Sequence, residues 1–244
     1  MDLPYLSFII PAYNEEARLP GTLDQVLQFL ELQDFSYEII VVENGSQDRT
    51  LEIAQAYAAR HPRVRVIHED GRGKGLAVRT GMLQACGQYR FMADADLSMP
   101  VAEVLRFLPP QLSNFEVAIG SREAPGSVRY REPLHRHLGG RLINLAIRLL
   151  ALPGLQDTQC GFKCFRSDVA QDLFGKMQLP GWSFDIEVLY IARLHGYRIV
   201  EIPIPWHYMP SSKLSPLKDA LRMLRDILRI RGNARRGLYQ QASR

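Results

Sequence analysis

Two acidic residues one position apart, Asp94 and Asp96, are the strongest candidates for chemistry in this chain of 244 residues. They directly follow residues 89–93, a short apolar run of the kind that forms a buried strand. Carboxylates at this spacing on a turn suit a hard cation such as Mg²⁺ or Mn²⁺, which prefers oxygen ligands. An ordinary acidic turn has the same spacing, so the position at a strand end is what makes the pair a candidate metal site.

A second candidate is the glycine-rich run at residues 71–75, which includes Lys74 and precedes a stretch with helical spacing. The first turn of a helix offers backbone N–H groups and the positive end of the helix dipole, and so favours an anion such as phosphate. Neither the Walker spacing nor the dinucleotide-binding fingerprint is present. A flexible loop with a solvated lysine is the alternative, and the run alone does not decide between the two.

The elements that must position these residues are alternating strands and helices. Apolar runs at 5–12, 37–43, 64–69 and 89–93 predict strands, and stretches with three- and four-residue spacing lie between them. This alternation predicts an α/β fold with a mostly parallel sheet flanked by helices. Ligands of such sheets bind beyond the carboxyl ends of the strands. The polar residues expected at those ends are Tyr13, Asn14, Glu15, Glu43, Asn44, Asp94 and Asp96.

The second half of the chain predicts further strands at 116–121 and 198–204 and helices at 137–152 and 184–195. A basic amphipathic helix is predicted from Pro216 onward. We expect one domain over residues 1–212, with a first half (1–122) and a second half (123–212), followed by a tail over 213–244.

Composition excludes several classes of protein. Hydrophobic residues make up 46% and charged residues 23% of the chain, as in soluble globular proteins. No apolar stretch reaches the roughly 18 residues of a transmembrane helix. Three cysteines, Cys86, Cys160 and Cys164, have no histidine close by, so buried thiols in a reducing compartment are favoured over a zinc site.

The excess of positive over negative charge lies entirely in the tail. Residues 213–244 contain nine Lys or Arg and two Asp, a balance of +7, whereas the rest of the chain has a balance of −3. A basic amphipathic helix of this kind suits an anionic membrane surface, and a helix packed on its own domain with a solvated basic face is the alternative. Binding to nucleic acid is disfavoured because Tyr239 is the one aromatic residue after Tyr208.

Several motifs together resemble a known family. The segments FIIPAYNE (8–15), ENGSQD (43–48) and DAD (94–96) resemble the nucleotide-sugar half of family 2 inverting glycosyltransferases, which have a GT-A fold. Downstream, DTQCGFK (157–163), WSFDIE (182–187) and SKL (212–214) resemble the branch that acts on polyprenyl phosphates. Dolichyl-phosphate β-glucosyltransferases are the most similar members of that branch, and dolichol-phosphate mannosyltransferases are related. The resemblance covers about residues 5 to 232, with the motifs in the expected order. It implies that residues 1–122 form the nucleotide-sugar half of the domain and residues 123–212 the acceptor half.

The resemblance implies a role for each matching residue. Asp96 would hold a Mg²⁺ or Mn²⁺ ion that bridges the donor diphosphate, and Asp94 would touch the ribose or donor sugar and support the same ion. The donor pocket would be lined by Pro11, Tyr13, Glu15, Glu43, Asn44, Lys74, Asp94 and Ala95. Positive charge at the diphosphate or acceptor phosphate would come from Arg122, Arg136 and Lys213. The acceptor and sugar side would comprise Asp157, Gln159, Trp182, Asp185 and Glu187.

The implied activity is transfer of a hexose from a nucleotide-diphosphate sugar to a polyprenyl or dolichyl phosphate, with UDP-glucose favoured and GDP-mannose possible. Because a phosphate monoester is already anionic at neutral pH, its attack needs no protein general base. The protein would work in the cytoplasm, peripherally at the inner face of the cell membrane, without a transmembrane segment. The sequence leaves the oligomeric state open.

Two departures from the family pattern keep details open. Many members have Asp-Asp where this chain has Glu43-Asn44, which affects the base contact, and mannosyltransferase relatives have Gln at the position of Ser98, which affects a second metal ligand.

Purely structural roles are the alternatives for some of these residues. Trp182 would pack in the core, Asp157 would cap a turn, and Asp185 with Glu187 would form a solvated helix start. For the whole protein, the alternatives are a glycosyltransferase with a non-lipid acceptor and a non-catalytic protein that binds a membrane surface or nucleic acid.

Overall fold

The computed structural model describes residues 3–131, 133, 141, 144–209 and 216–240. The strands are β1 (Leu6–Ala12), β2 (Tyr37–Glu43), β3 (Val64–His68), β4 (Tyr89–Ala93), β5 (Val117–Ser121), β6 (Val128–Tyr130), β7 (Phe162–Arg166), β8 (Ile199–Pro203) and β9 (Pro205–His207). The helices are α1 (Leu19–Glu31), α2 (Thr50–Arg60), α3 (Lys74–Gln84), α4 (144–150), α5 (Ser167–Lys176), α6 (Phe184–Leu194) and α7 (Pro216–Arg235), with a 3₁₀ helix at Val101–Phe107.

Within the described residues the main sheet has seven strands in the order β3-β2-β1-β4-β7-β5-β8. β7 runs antiparallel to both of its neighbours, β4 and β5, while the remaining pairs are parallel. The predicted α/β fold with a mostly parallel sheet is therefore confirmed.

Side chains of the central strands alternate between two apolar cores because successive residues of a strand point to opposite faces. Ile9 packs in a core with α3, α5, α6 and α7, whereas Phe8 and Ile10 pack in the other with α1, α2 and the 3₁₀ helix. Both faces of β1 are buried, which explains its largely apolar sequence.

Reversal of β7 determines what lies next to the metal candidates. Since β7 is antiparallel to β4, Phe162 at its start is the register partner of Ala93 at the end of β4. The segment before β7, residues 157–161, therefore meets the segment after β4. This reversal was absent from the sequence prediction, as was the small parallel sheet of β6 and β9.

The C-terminal helix α7 packs on the domain through Ile227 and Ile230, which are buried, and leaves Leu221, Leu224 and Leu228 exposed. The alternative of a helix packed on its own domain thus holds for one face, and a leucine stripe remains on another. Within the described residues, no helix combines the length and apolar composition needed to cross a bilayer.

The cysteine prediction is confirmed for two of the three residues. Cys160 and Cys164 are buried free thiols, whereas Cys86 is exposed, so the prediction of a buried thiol is wrong at that position. Cys86 lies in the short connection between α3 and β4, beyond the buried face of the helix.

Candidate active site

The turn after β4 presents two half-exposed carboxylates, as its position at a strand end predicted. The backbone N–H of Asp94 donates to the carbonyl of Gly161 at 3.1 Å, and the N–H of Leu97 donates to the carbonyl of Asp94 at 3.1 Å. Asp96 Oδ1 accepts a hydrogen bond from the N–H of Ser98 at 3.0 Å. Ala95 between them is buried, and its carbonyl accepts a hydrogen bond from Thr22 Oγ1 at 2.6 Å. The backbone is thereby fixed, with both acidic side chains left at the surface.

Lys74, the first residue of α3, is the cation nearest to this turn among the contacts of the described residues. Its Nζ lies 2.5 Å from Asp94 Oδ1 and 4.9 Å from the centre of the Trp182 ring. Burial disfavours the charged form of Lys74, but Asp94, Asp185 and Asp96 outweigh burial and raise the pKa of the ammonium group. Lys74 is therefore protonated at neutral pH and neutralises one of the two carboxylates.

Gly161 leaves the room that Asp94 needs. A Cβ atom at this position would lie 2.1 Å from Asp94 Oδ2 and 2.4 Å from its Cγ, far inside van der Waals contact. Any residue other than glycine would push the carboxylate away from its present position, so the glycine in the DTQCGFK segment serves the neighbouring acidic turn.

The donor set at this turn fits Mg²⁺ or Mn²⁺ held together with a substrate. Among the residues that the structure describes, no cluster of three or more His, Cys, Asp or Glu side chains forms a complete cage. Mg²⁺ usually takes one or two carboxylates and completes its shell with substrate phosphates and water. Asp94 and Asp96 supply that number of carboxylates, half exposed and joined by one residue.

The loop after β1 is tied to the loop after β2 by hydrogen bonds between backbone and side chain. Asn14 has a positive φ of 53°, and its N–H donates to Ser46 Oγ at 3.1 Å while its Oδ1 accepts from the N–H of Gln47 at 2.8 Å. The N–H of Glu15 donates to Thr50 Oγ1 at 2.8 Å. These contacts build a rigid rim at the carboxyl ends of β1 and β2, where the sequence predicts the nucleotide pocket.

Three predicted donor-pocket residues lie on this rim. Tyr13 is 43% exposed, Pro11 is half-buried at the end of β1, and Glu15 forms a two-point ion pair with Arg18 at 2.7 and 2.8 Å. The contact of these three residues with a base or ribose stays a prediction.

Glu43 and Asn44, also predicted for this pocket, are buried in the loop framework. Glu43 Oε2 lies 2.6 Å from His68 Nδ1, and its other oxygen accepts from the N–H of Ser46. Burial raises the pKa of Glu43, but the bonds from Ser46 and His68 prevail and hold it below its ordinary value.

Asn44 accepts a hydrogen bond from the N–H of Gly73 at 2.9 Å and donates to the carbonyl of Gly71. It therefore fixes the glycine-rich run that presents Lys74, a structural role that the sequence did not reveal.

Arg122, predicted to meet a phosphate, is committed to a buried carboxylate. Its Nε and Nη2 donate to the two oxygens of Asp157 at 2.6 and 2.9 Å, and its backbone N–H donates at 3.0 Å. Burial opposes ionisation of Asp157, but Arg122 outweighs burial and lowers the pKa to about 2. Asp157 Oδ1 also accepts from the N–H of Gln159 at 3.2 Å, so the turn-capping alternative is confirmed alongside this ion pair.

The acidic residues at the start of α6 are buried, which makes the alternative of a solvated helix start wrong. Asp185 Oδ1 lies 2.6 Å from Lys163 Nζ, and both side chains are almost fully buried. Burial raises the pKa of Asp185 in spite of Lys163 and Lys74. Trp182 just before them is 54% exposed, so the alternative that it packs in the core is also wrong.

Two of the predicted cationic residues, Arg136 and Lys213, lie outside the described residues. Lys163 was not predicted as a site residue, although a lysine inside the apolar strand Phe162–Arg166 is itself a signal of a buried ion pair. Trp206 was not predicted either; its ring lies 5.6 Å from the guanidinium carbon of Arg122 and 5.9 Å from that of Arg129.

Comparison with known proteins finds relatives that cover most of the chain. The model of glycosyl transferase family 2 matches residues 7–174. The dolichyl-phosphate β-glucosyltransferase of Drosophila melanogaster is 38% identical over 240 residues, which cover 92% of this chain and 74% of that protein. The protein of the same name from Homo sapiens is 37% identical over 242 residues, with 93% and 74% covered.

Among solved structures, glucosyl-3-phosphoglycerate synthase of Mycobacterium tuberculosis in complex with uridine diphosphate has the same fold. It superimposes with a TM-score of 0.68 at 20% identity, covering 94% of this chain and 80% of that one. Another crystal structure of that enzyme contains Mn²⁺, UDP-glucose and glycerol 3-phosphate. The chain therefore belongs to glycosyl transferase family 2 and is a glycosyltransferase with a GT-A fold.

Proposed function

We propose that the protein transfers glucose from UDP-glucose to dolichyl phosphate or another polyprenyl phosphate, with inversion at the anomeric carbon. The observation that supports this most is the pair of half-exposed carboxylates, Asp94 and Asp96, beside Lys74 at the carboxyl end of β4. The names of the relatives from Drosophila melanogaster and Homo sapiens support glucose and dolichyl phosphate. The Mn²⁺ and UDP-glucose complex of the structural neighbour supports the donor and the ion.

Asp96, with Asp94 beside it, would hold Mg²⁺ or Mn²⁺. When bound, such an ion neutralises the charge that develops on the departing diphosphate. The ammonium group of Lys74 already balances Asp94, so an ion held by Asp96 leaves the site with net positive charge. The nearby pair of Lys163 and Asp185 is internally neutral and does not change this balance. The site formed by Asp94, Asp96 and Lys74 would thus be suited to a diphosphate group.

The acceptor chemistry places few demands on the protein. A phosphate monoester has its second pKa near about 6 and is anionic at neutral pH, so no side chain has to remove a proton from it. What the protein must supply is orientation and positive charge, because two phosphorylated molecules repel each other. We assign the positive charge to Arg136 and Lys213, and also to Arg122, which the ion pair with Asp157 holds in place. Gln159 and Trp182 would lie on the acceptor side.

The tail supports an acceptor that resides in a membrane. Along α7 the exposed side chains Leu221, Leu224 and Leu228 alternate with Arg222, Arg225 and Arg229. An exposed apolar stripe flanked by arginines suits the interface of an anionic bilayer. We therefore propose that residues 213–244 attach the domain of residues 1–212 peripherally to the cytoplasmic face of the membrane.

The test of the function is a transfer assay with defined components. The protein is incubated with Mn²⁺, a short polyprenyl phosphate and either radiolabelled UDP-glucose or radiolabelled GDP-mannose, and the lipid extract is counted. We expect label in the lipid from UDP-glucose, and its loss when EDTA is added. Transfer of label from GDP-mannose alone would show that the donor is GDP-mannose and not UDP-glucose. Label that appears only in water-soluble products would show that the acceptor is not a lipid.

Membrane attachment has a separate test. We expect the protein to sediment with vesicles that contain anionic lipid, and the Leu224→Glu/Leu228→Glu variant to sediment roughly tenfold less because charge replaces the apolar stripe. Both side chains are exposed, so the unfolding temperature should stay near that of the wild type. Equal sedimentation of the two proteins would contradict the proposed attachment.

A further inference from the structure

The segment between α5 and α6, residues 178–183, connects the C-terminal helix to the metal candidates; we call it the 178–183 loop. It carries Trp182, whose ring lies 4.9 Å from Lys74 Nζ, and Lys74 in turn contacts Asp94 at 2.5 Å. The position of this loop therefore influences the cation that neutralises the acidic turn.

On its inner side the loop packs directly against the start of α3. The carbonyl of Pro180 accepts a hydrogen bond from the N–H of Leu76 at 3.1 Å. A Cβ atom on Gly73 would lie 2.2 Å from that carbonyl oxygen, and one on Gly75 would lie 2.8 Å from the carbonyl oxygens of Leu179 and Gly181. Backbone touches backbone here, so a shift of the loop is transmitted to the first turn of α3, where Lys74 lies.

On its outer side the loop is held by residues of the C-terminal segment. Ser183 Oγ donates to Asp226 Oδ2 of α7 at 2.6 Å. The buried carboxylate of Glu187 accepts the N–H groups of Gln178 and Leu179 at 3.0 and 2.7 Å, and it also accepts the hydroxyl of Tyr239. One end of the loop is thus anchored directly to Asp226, and the other end is anchored through Glu187 to Tyr239.

We propose that Asp226 and Tyr239 are positioning residues of the active site, which fix the 178–183 loop and through it set Trp182 and Lys74 beside Asp94. This rests on the proposed function for the meaning of the site, because the loop matters to catalysis only if Asp94 and Asp96 form the donor site. Neither residue needs to touch a substrate. Their contribution is to keep the cation and the exposed ring in one arrangement before the donor binds.

Two faces of α7 have different tasks in this arrangement. The face with Ile227 and Ile230 holds the helix on the domain, while Asp226 is half-buried and makes a directed bond to the loop. A role in folding alone would make the chemical nature of this side chain unimportant. A positioning role requires an oxygen acceptor at this position.

The test compares Asp226→Ala, Asp226→Asn and Tyr239→Phe with the wild type by hydrogen exchange of the full chain. Asp226→Asn keeps an acceptor for Ser183 Oγ. Asp168→Ala is the matched control because it removes an exposed carboxylate of α5, which pairs with Arg166 at the end of β7. We expect Asp226→Ala to speed amide exchange about tenfold in peptides that cover 178–183 and 73–77, because local opening becomes easier. Tyr239→Phe should act mainly on residues 178 and 179. Asp226→Asn and Asp168→Ala should exchange there as the wild type does.

A second readout uses UDP with Mn²⁺ in a calorimetric titration. We expect Asp226→Ala to bind UDP about threefold to tenfold more weakly than wild type, and Asp226→Asn to restore binding. Unchanged exchange in both peptides, or equal behaviour of Asp226→Ala and Asp226→Asn, would overturn the proposal. Absence of UDP binding by the wild type would count against the proposed function, while the exchange comparison would still decide whether the loop is held from α7.

Discussion

Two acidic pairs of the same spacing have opposite environments in this molecule. Asp94 and Asp96 follow strand β4 and are half exposed, whereas Asp185 and Glu187 begin helix α6 and are 4% and 0% exposed. Both carboxylates of the second pair have partners within the protein, since Lys163 contacts Asp185 and backbone N–H groups donate to Glu187. Among the described residues Lys74 is the cation that contacts the first pair, and both of its carboxylates remain partly exposed to solvent.

The difference shows what makes a carboxylate pair a site. Spacing alone does not, because both pairs have one residue between them. What distinguishes Asp94 and Asp96 is a backbone that ends a buried strand and turns outward, with Gly161 opposite to leave space. What distinguishes the other pair is Lys163, a lysine inside a neighbouring apolar strand, which forms a buried ion pair with Asp185.

Replacement of Asp96, in the exposed pair, should have the largest effect on activity. We expect Asp96→Ala to lower glucose transfer at least about 10³-fold, because the ion that compensates the leaving diphosphate loses its main ligand. The half-exposed side chain contributes little to folding, so the unfolding temperature should change by no more than a few degrees. Asp70→Ala, which removes a carboxylate whose side chain is 97% exposed, is the control and should keep full activity. Full activity in Asp96→Ala would show that the acidic turn is not the donor site.

Removal of the buried carboxylate of Asp185 should lower the free energy of unfolding. Asp185→Ala leaves the ammonium of Lys163 buried without its carboxylate, and breaking such a pair costs about 3–5 kcal/mol. Urea unfolding of the variant and the wild type measures this loss. The double variant Asp185→Leu/Lys163→Met removes both charges and should recover most of it. A loss below about 1 kcal/mol in Asp185→Ala would place Lys163 in solvent rather than in the core.

A substitution at Gly161 should separate the loss of activity from the loss of stability, since this residue leaves space for Asp94 and has no side chain in the core. We expect Gly161→Ala to reduce transfer about 10²-fold, because the new methyl group occupies the position of Asp94 Oδ2. The displaced atoms are the end of a half-exposed side chain, so the free energy of unfolding should fall by less than about 1 kcal/mol. Equal losses in activity and stability, measured on the same preparation, would contradict this division.

Replacement of Asp157, another buried acid, should have the smallest effect, and that effect should depend on pH. Its pKa is lowered to about 2, so the stabilisation by Arg122 is fully present above the ordinary pKa and is lost as the pH falls through about 2. The shift corresponds to about 2 kcal/mol. The difference in unfolding free energy between wild type and Asp157→Asn should therefore shrink between about pH 5 and about pH 3. A difference that stays constant over this range would show that the ion pair does not contribute to stability.

Much of the fold and one half of the site were accessible from the sequence. Strands Tyr37–Glu43 and Tyr89–Ala93 were predicted to the residue, because a short apolar run bounded by polar turn residues is the pattern of a strand buried on both faces. Asp94 and Asp96 followed from the second of these strands. The order of motifs then indicated the family.

The remainder depends on long-range packing that local patterns do not encode. Reversal of β7 brings Gly161 to Asp94, and no periodicity distinguishes a parallel from an antiparallel strand of five residues. Arg122 was predicted as a phosphate ligand, and its partner within the protein, Asp157, is 35 residues away in sequence. Asn44 was predicted as a base contact, and its amide also holds the loop of Gly71 and Gly73. In each case the side chain type was read correctly, and its partner came from a distant segment.

The central claim, that the open carboxylates take a divalent ion together with the donor, is tested most directly by calorimetric titration of UDP with and without Mn²⁺. We expect the wild type to bind UDP at least about tenfold more tightly with Mn²⁺ than with EDTA, and Asp96→Asn to bind equally in both conditions. The asparagine keeps the size of the side chain and removes its charge. An undiminished effect of Mn²⁺ in Asp96→Asn would contradict the claim.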